Sequence, residues 1–560
     1  MSEQDLLFFN GINGSTGDYL LPPMTPEQLS RIALSERFDE DQLEDIELKI
    51  RQKKETGFAP IEGVDPKDLA QTGWGVIFAY QADPAIREAL SELLDHRKKQ
   101  ATEKHEHYYK EYIGVKAYRP GESKKNFLAR QGVGPGPADP NNMPYYLLIV
   151  GGPETIPYVF QSQLSVQYAV GRIHFDTLQE YAQYAHSVVE AETKNLSLSP
   201  SAAFFGVCNQ GDRATNLSTQ HLVEPLSEWV VKEHSNWDVK TILKEEATKA
   251  RLGQLLGGSE TPSLLFTASH GMTFPNGDPR QLPHQGALLC QDWPATWRGP
   301  VPEDFYFSGD DIGEQARLLG MIAFFFACYG AGCPQYDEFD GHRDKKASGR
   351  PEIAPKSFLA RLPQKLLSHP KGGALAVIGH IDRAWGYSFT LSGKGVTREQ
   401  IKQIAVFQSS VKRLLEGHPV GSALEFFDER YAEISSDLNT ELEEIKFGAT
   451  PDPNSLSDMW TTNNDARNYA IIGDPAVRLV VSSSKDASAE RPTIEPVQLP
   501  AALEQKPAET SADSVAGEID LKQAQTQLIT SLEQFIKSAE SVPTATSLAT
   551  NLLNVLKGLK

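Results

Sequence analysis

Short apolar runs alternate with amphipathic segments along most of this 560-residue chain. Between residues 199 and 482 the runs predict six strands, at 202–207, 238–243, 263–269, 322–327, 374–379 and 476–481. Because the runs lack in-and-out alternation, we expect strands that are buried on both faces of a mostly parallel sheet. Helical stripes between the strands complete the pattern of an α/β domain, which we place at residues 198–482.

A smaller alternation precedes this domain. Three further apolar runs predict strands at 74–80, 145–150 and 167–175. A helical stripe near 178–193 follows the third run. We therefore expect a smaller α/β subdomain at residues 71–197, preceded by a polar N-terminal extension over residues 1–70.

The pattern changes after residue 482. Residues 483–517 are rich in Ser, Ala, Glu and Pro and lack periodicity, which predicts a disordered linker. Residues 518–560 regain narrow apolar stripes at helical spacing, which predict an amphipathic helical tail. Such stripes need a covering surface, so the tail is a candidate for docking a protein partner or a second copy of the chain.

The net charge of −20 narrows the classes of partner. It argues against nucleic acid, which binds to basic surfaces, and against anionic membranes. No apolar run is long enough to span a bilayer, and the first residues do not resemble a secretory signal. Four cysteines are too few for a disulfide framework in a chain of this length. We therefore expect a cytoplasmic protein with reduced thiols.

Two of the predicted strands end at chemically capable side chains. One run ends in Ser-His-Gly, with His270 and Gly271, and the next ends in Ala-Cys-Tyr-Gly, with Cys328 and Gly330. The carboxyl ends of parallel strands are where sites assemble in α/β sheets. A cysteine and a histidine at neighbouring ends predict a nucleophile and its base. Taken alone, each residue is more often a buried core side chain; their joint placement favours the catalytic interpretation.

The order of several motifs resembles that of the caspase-like clan of cysteine peptidases, most closely the gingipain-type family. The similar segments are the two strand ends just named, residues 148–158 (LIVGGPETIPY), 170–173 (VGRI), 373–379 (GALAVIG) with Trp385, and 472–475 (IGDP). The resemblance covers about residues 140–480. It implies an α/β/α sandwich whose six strands lie in the order 2-1-3-4-5-6, with histidine after the third and cysteine after the fourth.

The resemblance also implies roles for individual residues. His270 would be the general acid and base, Cys328 the nucleophile, and the amides of Gly271 and Cys328 an oxyanion hole. Residues 381–387, which include Ile381 and Trp385, would wall the pocket for the substrate side chain. Asp382 could meet a basic substrate side chain from that wall, or could instead pair with Arg383.

The sequence departs from the family in two places. The acidic residue that supports the histidine in the family has only a loose counterpart, Asp212, in the loop after the first strand of the domain. The residue that gives arginine specificity in the family has no clear counterpart, because Asn216 and its neighbours are uncharged. The basic residues of the loop that follows the nucleophile suggest self-cleavage within 339–350.

The sequence therefore predicts a cysteine endopeptidase that acts on protein or peptide substrates without a metal or organic cofactor. Two other interpretations stay open: a catalytically inactive scaffold that docks partners through its C-terminal helices, and an acyl transferase that uses the same Cys–His pair. Selective, His270-dependent alkylation of Cys328 would distinguish an enzyme from a scaffold.

Overall fold

A long, mostly parallel sheet forms the centre of the molecule. The strands of the computed structural model, in chain order, are Gly11–Asn13 (β1), Trp74–Phe78 (β2), Tyr109–Tyr112 (β3), Tyr146–Val150 (β4), Ala169–Ile173 (β5), Ser201–Gly206 (β6), Asp238–Leu243 (β7), Leu264–Ala268 (β8), Gly271–Thr273 (β9), Leu288–Leu289 (β10), Tyr306–Phe307 (β11), Ile322–Phe326 (β12), Gly332–Cys333 (β13), Phe358–Leu359 (β14), Ala376–His380 (β15), Thr390–Gly393 (β16), Val396–Lys402 (β17) and Tyr469–Gly473 (β18). Ten of them form the central sheet, in the order β3-β2-β4-β5-β18-β15-β12-β8-β6-β7.

Helices flank this sheet on both faces. They are Pro26–Ser35, Leu69–Thr72, Pro84–Ala89, Ser91–Ala101, Lys124–Arg130, Tyr158–Ser165, Leu178–Thr193, Arg213–Ser218, Glu224–Glu233, Lys249–Leu255, Gln281–His284, Arg361–Leu367, Ala405–Leu415, Val420–Lys446 and Pro453–Arg467. Every residue of β4, β5, β8, β12 and β15 is buried. The predicted α/β class, with a mostly parallel sheet between helical layers, is confirmed.

The structure describes residues 6–35, 60–61, 63–194, 196–337, 350–386, 389–393, 396–402, 404–482 and 491–499. They belong to a unit that spans Met1–Glu504. The predicted helical tail at 518–560 and most of the predicted linker lie outside the described residues. Within the described part of the chain, no helix is long and apolar enough to cross a membrane.

The sheet consists of two blocks of parallel strands that run in opposite directions. The first block is β3-β2-β4-β5-β18 and the second is β15-β12-β8-β6-β7. All pairs within a block are parallel, whereas β15 and β18 pair antiparallel where the blocks meet. The carboxyl ends of the two blocks therefore lie at opposite edges of the sheet.

The predicted strand order 2-1-3-4-5-6 matches the order β7-β6-β8-β12-β15-β18. Two expectations were wrong. The sixth strand is β18 rather than 476–481, because Asp474 and Pro475 end the extended run: the Asp474 carboxylate accepts hydrogen bonds from Trp74 and Arg97, and Pro475 has no amide to donate. The sheet also does not stop at six strands, since β18 pairs with β5 of the expected smaller subdomain.

The joint between β5 and β18 depends on a glycine. A β-carbon on Gly171 would lie 2.2 Å from the carbonyl oxygen of Gly473. Only glycine lets the two backbones approach so closely. The two α/β alternations that the sequence shows therefore share one continuous sheet.

Part of the predicted linker is packed on this body. In the stretch 491–499, the amide of Ile494 donates to the Lys371 carbonyl at 3.1 Å and that of Val497 donates to the side chain of Gln183 at 3.0 Å. These hydrogen bonds hold a segment whose composition alone predicts disorder.

Candidate active site

The two predicted catalytic side chains follow neighbouring strands of the second block. Strands β8 and β12 pair in parallel, with Ala268 opposite Phe326 at their carboxyl ends. His270 and Cys328 each come two residues after these partners and are both fully buried. The register therefore brings both residues to the same edge of the sheet, as the sequence predicted.

Asp212 lies against His270. It follows β6, the other neighbour of β8, and its Oδ2 is 2.7 Å from Nε2 of the imidazole. Burial raises the pKa of the Asp212 carboxyl, but the charge and hydrogen bond of His270 outweigh it and hold that pKa below its usual value. A charged carboxylate at Nε2 orients the imidazole.

Because Asp212 contacts Nε2, the other imidazole nitrogen of His270, Nδ1, is the one that could exchange a proton with another group. Nδ1 of His270 is buried and has no hydrogen-bond partner among the described residues. Tyr19 and Trp293 pack edge-on against the ring, with centroid distances of 5.5 and 6.1 Å. Tyr19 also donates its hydroxyl hydrogen to Oδ1 of Asp212. The ring is thus fixed from three sides with Nδ1 left available.

The thiol of Cys328 is protonated in this arrangement. Burial raises its pKa to about 12, although the amide of Ala384 donates to Sγ at 3.2 Å and so favours the thiolate. The backbone turns sharply directly after it, since Tyr329 has a φ of 58°, in the left-handed region that a bulky residue rarely adopts. The Tyr329 amide donates to the Asp382 carbonyl at 2.8 Å, which holds this turn.

Two backbone amides point at one peptide oxygen. The carbonyl oxygen of Asn10 accepts hydrogen bonds from the amide of Gly271, at 2.9 Å, and from that of Cys328, at 3.3 Å. Gly271 has to be a glycine, because a β-carbon there would lie 1.8 Å from the Cys328 carbonyl oxygen. Paired amides that converge on a carbonyl oxygen are the arrangement that stabilises an oxyanion in acyl transfer.

The N-terminal segment fills the cleft beside these groups. Strand β1 pairs in parallel with β9, which directly follows His270. On the other side of Asn10, the backbone of Phe9 bridges that of Trp385 in antiparallel orientation. Phe9 is fully buried, and its ring meets the Trp385 ring edge-on at 4.7 Å. Part of the predicted polar extension is therefore an apolar anchor in the site.

The predicted pocket residues differ in their surroundings. Trp385 contacts Phe9, and Ile381 is buried with its amide bonded to the Asn468 carbonyl. Asp382 pairs with Arg383, which is the alternative that the sequence left open: its Oδ1 accepts from the amide of Arg383 at 2.8 Å and from the guanidinium at 3.4 Å. The same guanidinium donates to both carboxylate oxygens of Asp337, at 2.8 and 2.9 Å. A contact between Asp382 and a basic substrate side chain stays a prediction. The predicted self-cleavage loop lies almost wholly outside the described residues.

Sequence reasoning missed the residues that the N-terminus contributes, above all Asn10 and Tyr19. The sequence feature that could have indicated them is the apolar run Leu6, Leu7, Phe8, Phe9, which immediately precedes Asn10 and Gly11. The run did not stand out because the rest of the first 70 residues is polar.

No protein-family model and no curated protein matches the sequence. Eight chains of solved structures match this chain, and three of them, described next, each align with most of it. "Structure of Protease" is 12% identical, with a TM-score of 0.42, over 76% of this chain and 81% of that chain. The Arg-specific cysteine proteinase gingipain R (RgpB) is 13% identical, with a TM-score of 0.38, over 75% and 80%. The complex of Porphyromonas gingivalis RgpB pro- and mature domains is 12% identical, with a TM-score of 0.33, over 74% and 80%. At such low similarity, the chemistry has to be inferred from this chain's own residues.

Proposed function

We propose that this chain is a cysteine endopeptidase in which Cys328 is the nucleophile, His270 the general acid and base, and Asp212 the residue that orients the imidazole. The observation that carries the proposal is the Asn10 carbonyl oxygen, which is held by the Gly271 and Cys328 amides. This contact supports the proposal because the mechanism requires the scissile peptide group of a substrate at this place, beside the cysteine that follows β12.

The proposed reaction follows from these positions. The thiol proton of Cys328 passes to His270, and Sγ bonds to the carbonyl carbon of the substrate. The Gly271 and Cys328 amides stabilise the resulting oxyanion, at about 3 kcal/mol for each donor. The carbon–nitrogen bond breaks as His270 protonates the leaving amine. Water, deprotonated by His270, then hydrolyses the thioester and restores the thiol.

One observation favours the alternative of an inactive scaffold. Cys328 is fully buried and the pKa of its thiol is raised to about 12, as for an inert core cysteine. However, the residues that cover Cys328 are not all part of the permanent protein core. A β-carbon on Gly11 would lie 3.2 Å from Sγ, so one of the walls is a segment of about a dozen residues that enters from the N-terminus. If the chain is an enzyme, displacing that segment should expose a reactive thiol. If the chain is a scaffold, the thiol should stay unreactive after the segment is displaced.

The experiment is a peptide library with mixed residues before the cleaved bond. It is incubated with the full chain and with a Phe9→Asp variant, in which a buried charge expels the N-terminal segment from the Trp385 contact. The expected result is cleavage by the Phe9→Asp chain that disappears in the Phe9→Asp, Cys328→Ser double variant. Undiminished cleavage in the double variant, or none in either chain, would contradict the proposal.

A further inference from the structure

The N-terminal segment lies in the cleft in the manner of a substrate. We infer that the bond between Asn10 and Gly11 is a substrate of this chain's own Cys328, and that the segment closes the cleft to other peptides until this bond is cut. The inference rests on the proposed peptidase function and adds to it the first substrate, a residue preference and a form of regulation.

The residues before the bond are held through their backbone. The Asn10 amide donates to the Ala384 carbonyl at 3.1 Å, and Phe9 pairs with Trp385 in antiparallel orientation. Extended peptides bind to proteins in this way, by adding a short strand to an exposed edge. Phe9 then supplies an apolar anchor in contact with Trp385. The segment therefore enters the cleft in the extended form that an endopeptidase requires.

The residues after the bond are held just as firmly. Strand β1, Gly11–Asn13, pairs with β9, and the amide of Leu20 donates to the Gly11 carbonyl at 2.9 Å. Sγ of Cys328 lies 3.2 Å from where a β-carbon on Gly11 would be. A side chain at this position would press on Sγ, so glycine leaves room for the thiol beside the peptide bond. Both sides of the bond are fixed while the amides of the oxyanion hole hold its carbonyl.

The identity of residue 10 indicates whether the N-terminal segment is a substrate or only blocks the cleft. The other inward residues of the segment are apolar: Leu7, Phe9 and Ile12 are at most 1% exposed. Asn10 is also fully buried, yet neither its Nδ2 nor its Oδ1 has a hydrogen-bond partner among the described residues. A buried amide without partners destabilises the fold, so packing alone would select an apolar residue here. We therefore infer that Asn10 serves its place before the cleaved bond rather than packing, and that the closed space around it disfavours larger or charged side chains.

Cleavage would balance as follows. The carbonyl carbon of Asn10 leaves the nitrogen of Gly11 and bonds to Sγ, while the thiol proton reaches the Gly11 nitrogen through His270. Water then releases the Asn10 carboxylate and regenerates the thiol. Residues up to Asn10 are afterwards held only by non-covalent contacts. Their departure removes Phe9 from Trp385 and frees the oxyanion hole for other peptides.

The test is intact-mass measurement of the full chain over prolonged incubation, beside a Cys328→Ser variant that preserves the size of the side chain. The expected result is a wild-type product that begins at Gly11 and lacks the mass of residues 1–10, while the Cys328→Ser chain stays intact. Asn10→Gln and Asn10→Lys variants grade the preference; we expect at least tenfold slower cleavage for the first and none for the second. A tagged Cys328→Ser chain mixed with wild type should remain uncut, because its bond is buried in its own cleft.

The other outcomes are informative in different ways. If the wild type keeps the Asn10–Gly11 bond while the Phe9→Asp chain cleaves library peptides in a Cys328-dependent manner, the self-substrate inference is overturned and the proposed function stands. If neither chain cleaves anything, both fail. Cleavage of the tagged Cys328→Ser chain by wild type would overturn the claim that each molecule cuts its own segment.

Discussion

The two blocks of the central sheet are built alike but end differently. Both consist of short parallel strands that are buried except at the outer strands β3 and β7, yet their carboxyl ends face opposite edges. At the edge of the second block, β8 and β12 are followed by His270 and Cys328. In the first block, β5 contains Arg172, whose guanidinium is bonded to the Gly151 and Ile156 carbonyls and to Gln161. The comparison shows that similar strands can carry different edges. Whether such an edge can hold a catalytic site depends on the side chains that lie at the ends of the strands.

The largest effect should come from the nucleophile. Cys328→Ser should lower peptide cleavage by at least about 10⁴-fold, because loss of the nucleophile of a coupled catalytic set removes nearly all of the rate. Cys333→Ser is the matched control. Cys333 is also fully buried, but its sulfur is bonded by Gln285 and lies at β13. Initial rates with a fluorogenic peptide check the pair; equal losses in the two variants would contradict the assignment.

The next effect concerns Asp212. Asp212→Asn should lower kcat by about 10³- to 10⁴-fold, because an amide cannot stabilise the imidazolium that forms on His270. The matched change in the first block is Asp474→Asn, which breaks the buried contact with Arg97 at 2.6 Å. That variant should lose about 3–5 kcal/mol of unfolding free energy and retain its kcat per folded molecule. Steady-state kinetics with active-site titration separates a loss of kcat from a loss of folded protein. If Asp474→Asn lowered kcat as much as Asp212→Asn, the assignment of catalysis to the second block alone would be contradicted.

A third prediction uses pH to compare Cys328 in its covered and uncovered states. In the uncut chain its thiol pKa is about 12, so alkylation by iodoacetamide should rise about tenfold per pH unit from pH 7 to 10 without a plateau. In the Phe9→Asp chain, water reaches the thiol and lowers its pKa, so the rate should level off at a lower pH. Mass-spectrometric labelling rates at each cysteine provide the measurement. Identical profiles in the two chains would show that the N-terminal segment does not control the thiol.

The smallest effect lies inside the first block, at the joint between β5 and β18. Gly171→Ala should cost about 1–3 kcal/mol of unfolding free energy, because its β-carbon collides with the Gly473 carbonyl. Gly134→Ala, where a β-carbon would meet nothing within 4 Å, is the control and should change stability little. Chemical denaturation measures both. If Gly171→Ala were as stable as the control, the continuity of the sheet at this joint would be in doubt.

The sequence was informative where structure depends on local pattern. Four runs of the second block, at β6, β8, β12 and β15, could be predicted because buried parallel strands are short and continuously apolar. The fifth strand, β7, lies at the edge of the sheet with three exposed residues, so the expectation that it is buried on both faces was wrong. His270 and Cys328 stood out because each follows a buried run. The antiparallel junction of β15 and β18 could not, since an apolar run carries no direction relative to its neighbours. The role of Asn10 was also hidden, because it depends on contacts more than 250 residues away in sequence, with Gly271 and Cys328.

The most direct test of the central claim is covalent labelling with a peptidyl acyloxymethyl ketone that ends in Phe-Asn. It is applied to the Phe9→Asp chain, and the adduct is located by peptide mapping among the four cysteines. We predict a single adduct on Cys328 that is lost in the additional His270→Gln variant, while Cys208, Cys290 and Cys333 stay unmodified. No adduct at Cys328, or an adduct that forms equally without His270, would contradict the account.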